Sequence, residues 1–156
     1  MFALTQRDVQ TSNATVEGMI TLSGYTARAL FDPRATHSFI SNAFANKLDK
    51  SPKSLQIQLI ISAPLGTEIV ARTIYKDCKI IVGGVRTRVD IIKLGEMEFD
   101  IILGIDWLST YQASVDCSEK KVTLRVDGIP EFTIEGVQDV HGASIISALK
   151  ALKLLR

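Results

Sequence analysis

Short runs rich in Ile, Val, Leu and Thr, broken by turn signals about every eight to twelve residues, extend from residue 14 to about residue 126. No pattern in the chain constrains the fold more, because runs this short cannot span a helical core and must pair with one another. Residues 16–22 place Val16, Gly18, Ile20 and Leu22 on one face of a strand. Ser23-Gly24 turns the chain, and residues 27–31 return as a more apolar strand. Residues 55–61 and 67–72 read as a hairpin around Ala63-Pro64-Leu65-Gly66. Residues 75–82 and 85–94 flank Gly83-Gly84, a two-residue hairpin signal.

Helix signals are fewer. Ser41-Asn42 can cap a short helix running to Leu48, with Phe44 and Leu48 on one face. Residues 105–110 suit a second helix. In the tail, residues 143–156, Ile145, Leu149 and Leu152 fall at helical spacing, and this segment is expected to lie peripheral to the barrel. The expectation is an all-β domain over residues 14–136, with a loose arm at 1–13 and a helical linker or tail at 137–156.

The 156 residues suffice for one domain, and 46% hydrophobic content suits a packed core. A net charge of +1 offers no electrostatic reason to propose nucleic acid or an acidic membrane as partner. Two cysteines exclude a disulfide-stapled scaffold. No apolar run approaches membrane-spanning length, and the first residues lack a signal-peptide core, so an intracellular location is expected. Cys78, Cys117, His37 and His141 contain no pair at metal-ligand spacing, and Gly83-Gly84 opens no phosphate-binding helix. No cofactor is expected.

Two segments can carry chemistry. In Leu30-Phe31-Asp32-Pro33-Arg34-Ala35-Thr36-His37-Ser38-Phe39 an apolar strand runs into an aspartate and a turn. A carboxylate there is either a turn cap or a desolvated acid–base group. In Phe99-Asp100-Ile101-Ile102-Leu103-Gly104-Ile105-Asp106-Trp107-Leu108 a buried strand meets a glycine and a short apolar helix. Trp107 reads as core, and His37 as a surface-facing polar residue that can orient the loop after Thr36.

Together these segments resemble the retropepsin-like aspartic proteases of plant Ty3/gypsy-type retrotransposon polyproteins. That family carries an apolar strand and then Asp-Ser/Thr-Gly-Ala-Thr-His-Ser/Asn-Phe-Ile, against Asp32 to Ile40 here. Its later Asp-Ile/Val-Ile-Leu-Gly-Met-Asp-Trp-Leu is similar to Asp100 to Leu108, in which Ile102, Leu103 and Gly104 form the fold-defining apolar-Gly element. Ser62 resembles the start of its flap hairpin, which continues through Ala63, Pro64, Leu65, Gly66 and Thr67. Similarity extends through 78–84, 113–117, 131–136 and 146–150.

The resemblance implies a closed, six-stranded-type β-barrel and an obligate homodimer. Each copy would lend Asp32 to a shared site, and residues 63–67 would close over a peptide substrate. Aspartic proteolysis needs two carboxylates sharing a proton, and this chain has one such motif, so a two-fold dimer is required. The chain would cleave a Gag-Pol-like polyprotein, associated with cytoplasmic virus-like particles, and its basic tail would lead toward the reverse transcriptase.

The active-site loop, with Ala35 and Thr36 as in the family, departs from the pattern at two positions. Pro33 replaces the hydroxyl residue that braces the family's dimer axis. Arg34 replaces a glycine whose N–H approaches the carboxylates where no side chain fits. Beside Asp32, that cation would favour the ionised carboxylate and oppose the shared proton. Two readings stay open: an endopeptidase impaired by Pro33-Arg34, and an inactive dimerisation or peptide-binding domain of the same fold.

Overall fold

The computed structural model describes residues 15–62 and 68–137. The first arm, the tip at residues 63–67 and the tail from residue 138 lie outside the described residues, together with the flap and tail expectations placed on them.

Among the described residues the strands are β1 (Val16–Leu22), β2 (Tyr25–Phe31), β3 (Phe39–Ser41), β4 (Lys53–Ser62), β5 (Glu68–Val82), β6 (Val85–Gly95), β7 (Ile101–Leu103), β8 (Ser114–Asp116), β9 (Lys121–Leu124) and β10 (Phe132–Glu135). The helices are α1 (Asn42–Ala45) and α2 (Ile105–Thr110). Seven strands form one sheet in the order β1-β2-β7-β3-β6-β5-β4. A further pairing of β1 with β5, Thr21 opposite Ile81 and Leu22 opposite Ile80, turns the sheet back on itself. β1, β2, β7, β3, β6 and β5 thus make a ring, and β4 hangs from its outside edge. β8, β9 and β10 form a second, small sheet.

The central position belongs to β7. It runs parallel to β2, with Phe31 opposite Leu103, and antiparallel to β3, with Phe39 opposite Ile102. Its neighbours on both sides explain its composition. Ile101 and Leu103 join the core of Phe31, Ile40, Phe44 and Trp107, whereas Ile102 joins the opposite core of Leu30, Phe39, Ile92 and Phe99. A strand buried on both faces loses the apolar–polar alternation and reads as a continuous apolar run.

Trp107 is 1% exposed. Its indole Nε1 donates to Thr87 Oγ1 at 3.0 Å, and Thr87 in turn donates to the Ile80 carbonyl at 2.9 Å. The one polar atom of the largest core side chain is thereby satisfied inside the barrel.

Several elements differ from the sequence expectation. The segments expected as two strands at 67–72 and 75–82 are, over the described residues 68–82, one strand, β5, with an irregularity between Tyr75 and Cys78 where Asp77 takes φ 54°. One extra residue there bends the strand, so β5 pairs with β4 before the bend and with β1 after it, while β6 pairs with it on both sides, from Ile74 to Val82. The helix after Ser41 is only four residues long. Ser41 Oγ accepts the Phe44 N–H at 3.1 Å, and tight bonds from Lys47 and Leu48 to the Phe44 and Ala45 carbonyls end it. Phe99 and Asp100 precede β7 rather than belong to it. There the Asp100 carboxylate accepts the Arg28 backbone N–H at 2.8 Å.

Candidate active site

Asp32 follows the last residue of β2, and its backbone N–H donates to the Leu103 carbonyl at 3.0 Å, extending the β2–β7 pairing by one bond. The Ala35 N–H donates to the Asp32 carbonyl at 3.2 Å and closes a four-residue turn. Pro33 occupies the second position of that turn, where its fixed φ suits type I and type II geometry. Asp32 Oδ1 also accepts the Arg34 backbone N–H at 2.9 Å, the side-chain turn that aspartates favour. Local chemistry therefore explains the Asp-Pro-Arg sequence as a turn without reference to catalysis.

This geometry corrects one expectation. A residue larger than glycine at position 34 does not forfeit the backbone approach to the carboxylate, because the Arg34 N–H makes it. What Arg34 adds is its side chain. Arg34 Nε lies 3.8 Å from Asp32 Oδ1, and the two residues are 8% and 1% exposed in the single chain. A buried cation thus adjoins the buried carboxylate.

The rest of the loop is held by the Ile102-Leu103-Gly104 crossing. A Cβ on Gly104 would lie 2.4 Å from the His37 carbonyl oxygen and 2.6 Å from that of Ala35. The loop lies against bare backbone, so glycine is required by close approach. The Ile105 N–H donates to the Ala35 carbonyl at 2.8 Å, and the Gly104 N–H donates to Ser38 Oγ at 3.0 Å. Ser38, 1% exposed, donates its hydroxyl to Asp106 Oδ1 at 2.7 Å and its N–H to Asp106 Oδ2 at 3.2 Å. Asp106 Oδ1 further accepts the Trp107 N–H at 2.8 Å. One carboxylate therefore ties the end of the Asp32 loop to the start of α2.

Ser38 and Asp106 are the positioning pair that sequence reasoning missed. They lie 68 residues apart, and no local pattern joins them. Ala35 is buried, while Pro33 and Thr36 are exposed at the loop surface. The Thr36 hydroxyl meets His37 Nδ1 at 2.8 Å, so His37 is both exposed and a support of the loop. Asp32, Pro33, Arg34, Ala35, Thr36, Ile102, Leu103 and Gly104 converge on this crossing. Residues 63–67 lie outside the described residues.

Among the described residues no three His, Cys, Asp or Glu side chains cluster as a metal site. No helix among them is long and apolar enough to cross a membrane.

A family profile described as Retroviral aspartyl protease matches residues 1–128. Among solved structures, the retroviral protease-like domain of Ddi1 from Leishmania major is similar, with a TM-score of 0.61 at 14% identity. The match covers 81% of this chain and 96% of that one. At that identity the likeness establishes a shared retropepsin-like fold. No curated protein sequence matches significantly.

Proposed function

The chain belongs to the retroviral aspartyl protease family, and from that premise we propose that it is a homodimeric aspartic endopeptidase impaired by Pro33-Arg34. Its motifs favour a plant Ty3/gypsy retrotransposon source and a Gag-Pol-like polyprotein as substrate. The proposed catalytic domain is residues 14–136, with residues 63–67 as flap, working inside the cell in association with virus-like particles. The observation that carries the reading is the aspartate at the end of a buried strand, its backbone pinned to Leu103 and its loop pinned by Gly104, Ser38 and Asp106. Such a loop presents one carboxylate in a fixed place, and a two-fold axis would set it against its own copy.

In the dimer one carboxylate takes a proton from water as the oxygen attacks the peptide carbonyl. The other carboxyl gives its proton to the carbonyl oxygen. The first, now holding the water proton, passes it to the leaving amine nitrogen as the C–N bond breaks, while a hydroxyl of the tetrahedral intermediate returns a proton to the second carboxylate. This needs one proton between two aspartates. Arg34 beside Asp32 favours the ionised form and so opposes that state.

The same observation supports a second reading, an inactive dimerisation or peptide-binding domain. A buried Asp32–Arg34 pair makes a stable turn without any proton to share. Incubation with a peptide library near pH 5, with and without pepstatin, separates the two. Pepstatin-sensitive cleavage is expected for the enzyme. Binding of peptides without cleavage, at any pH from 4 to 7, would establish the second reading.

A further inference from the structure

β4 does not follow β5 along its whole length. Its pairing runs Lys53 with Ile74 and Ser54 with Thr73, then resumes at Leu59 with Ala71. β4 therefore spends more residues than its partner over the same stretch and bows outward. Gln56, Ile57 and Gln58 on the bow are exposed, Ile57 at 81%. Beneath the bow lies a groove of about 710 Å³, floored by Ile74 and Ile92 and walled by Leu55, Ile57 and Leu59.

The groove begins where the Asp32 loop ends. His37 lines it, and the Ile92 N–H donates to the Ser38 carbonyl at 3.0 Å. The His37 carbonyl is the group packed against Gly104. One rigid crossing therefore fixes both Asp32 and the near end of the groove.

The charge of the groove is one-sided. Lys53 and Lys76 line it as cations, and no carboxylate does among the described residues. Lys76 Nζ reaches Asp90 Oδ2 at 3.6 Å from one side, a contact between half-exposed side chains, so Lys53 is the cation least committed elsewhere. An apolar floor beneath a cationic rim complements an extended peptide carrying an acidic side chain among apolar ones.

We propose that the groove between His37 and the β4 bow selects peptide substrates bearing an aspartate or glutamate to one side of the scissile bond, with Lys53 as the principal charge contact. The inference rests on the reading of this chain as a peptide-binding member of its family, but not on its being active. Lys76 adds positive potential, and Leu55, Ile74 and Ile92 take up the neighbouring apolar side chains.

The test uses the full chain and fluorescein-labelled dodecapeptides with a central, non-cleavable reduced Phe-Leu bond. Peptides are identical except for Glu, Gln or Lys scanned through the flanking positions. Anisotropy is expected to show the Glu peptide binding about three- to tenfold tighter than the Lys peptide at one position, shrinking toward equality in 0.5 M salt. Lys53→Glu should reverse that preference while retaining the melting temperature. Equal binding of all peptides, or a preference unchanged by both Lys53→Glu and Lys76→Glu, would overturn the proposal. The cleavable versions run in parallel separate the two claims. A Glu preference in binding without turnover would sustain the groove and sink the enzyme reading. Turnover indifferent to charge would do the opposite.

Discussion

Arg34 meets Asp32 twice: its backbone N–H donates to Asp32 Oδ1 at 2.9 Å, and its side-chain Nε stands 3.8 Å from the same oxygen. The first contact is one that any residue with an ordinary backbone could make. The second belongs to arginine alone, and it brings a permanent cation to the carboxylate. Backbone geometry at position 34 is therefore compatible with the family's architecture, and charge is the point of departure.

Arg34→Gly is accordingly expected to raise proteolytic activity or create it. The N–H contact would remain, while the cation opposing a shared proton would be gone. Adding Pro33→Ser should increase activity further, and Asp32→Asn should abolish it. A pH–rate profile of all four proteins on one fluorogenic peptide checks this. Full activity in the natural sequence, unchanged by Arg34→Gly, would show that the Arg34 charge does not reach the dyad.

The protein is expected to be a two-fold dimer, because one chain supplies one aspartate motif. Sedimentation at tens of micromolar should show a species of twice the 17.1 kDa chain mass. A 17.1 kDa species alone at that concentration would count against the shared site.

Gly104→Ala should destabilise the fold by about 3 kcal/mol or more, since its Cβ would collide with two backbone carbonyls that cannot rotate away. Gly84→Ala is the comparison. A Cβ there meets nothing within 4 Å, and only its φ of +82° is strained, at a cost of about 1–2 kcal/mol. Urea denaturation of the two variants should rank them in that order.

Asp106→Ala should cost about 2–3 kcal/mol, because the hydroxyl and N–H of buried Ser38 both lose their acceptor. Ser38→Ala should cost a similar amount by orphaning the Gly104 N–H. In the double variant the losses should fall short of additive by about 1 kcal/mol or more, measured from denaturation midpoints. Additive losses would mean that the two residues do not act as one clamp.

Burial pushes the Cys78 thiol up to about 11 from an ordinary 9.0. The folded chain then holds a proton that the unfolded chain releases. The resulting stability is fully present below pH 9 and is lost as pH rises toward 11. Iodoacetamide at pH 8 should label half-buried Cys117 well before Cys78, which is 1% exposed. The decline in urea midpoint between pH 8.5 and 10.5 should be shallower in Cys78→Ala than in the natural sequence. Equal labelling of both thiols would show that the barrel opens at Cys78.

The β character, the Gly83-Gly84 hairpin, the limits of α2 and the family motifs were legible along the chain, because each is written in neighbouring residues. The alternation Val16, Gly18, Ile20, Leu22 needs only period-two geometry, and all four positions are buried. Motif order likewise survives in a linear string. Tertiary structure alone decided which strands distant in the chain meet. The insertion of β7 between β2 and β3 joins residues about seventy positions apart, and nothing in Ile101-Ile102-Leu103 names its partners. The same distance hid the Ser38–Asp106 clamp. The bend that makes β5 one strand and the bow that opens the groove under β4 are register shifts, set by both strands of a pair together. The place of the Arg34 guanidinium beside Asp32 was decided there as well. Sequence supplied the cation and the turn, but only the packed loop put that charge next to the carboxylate.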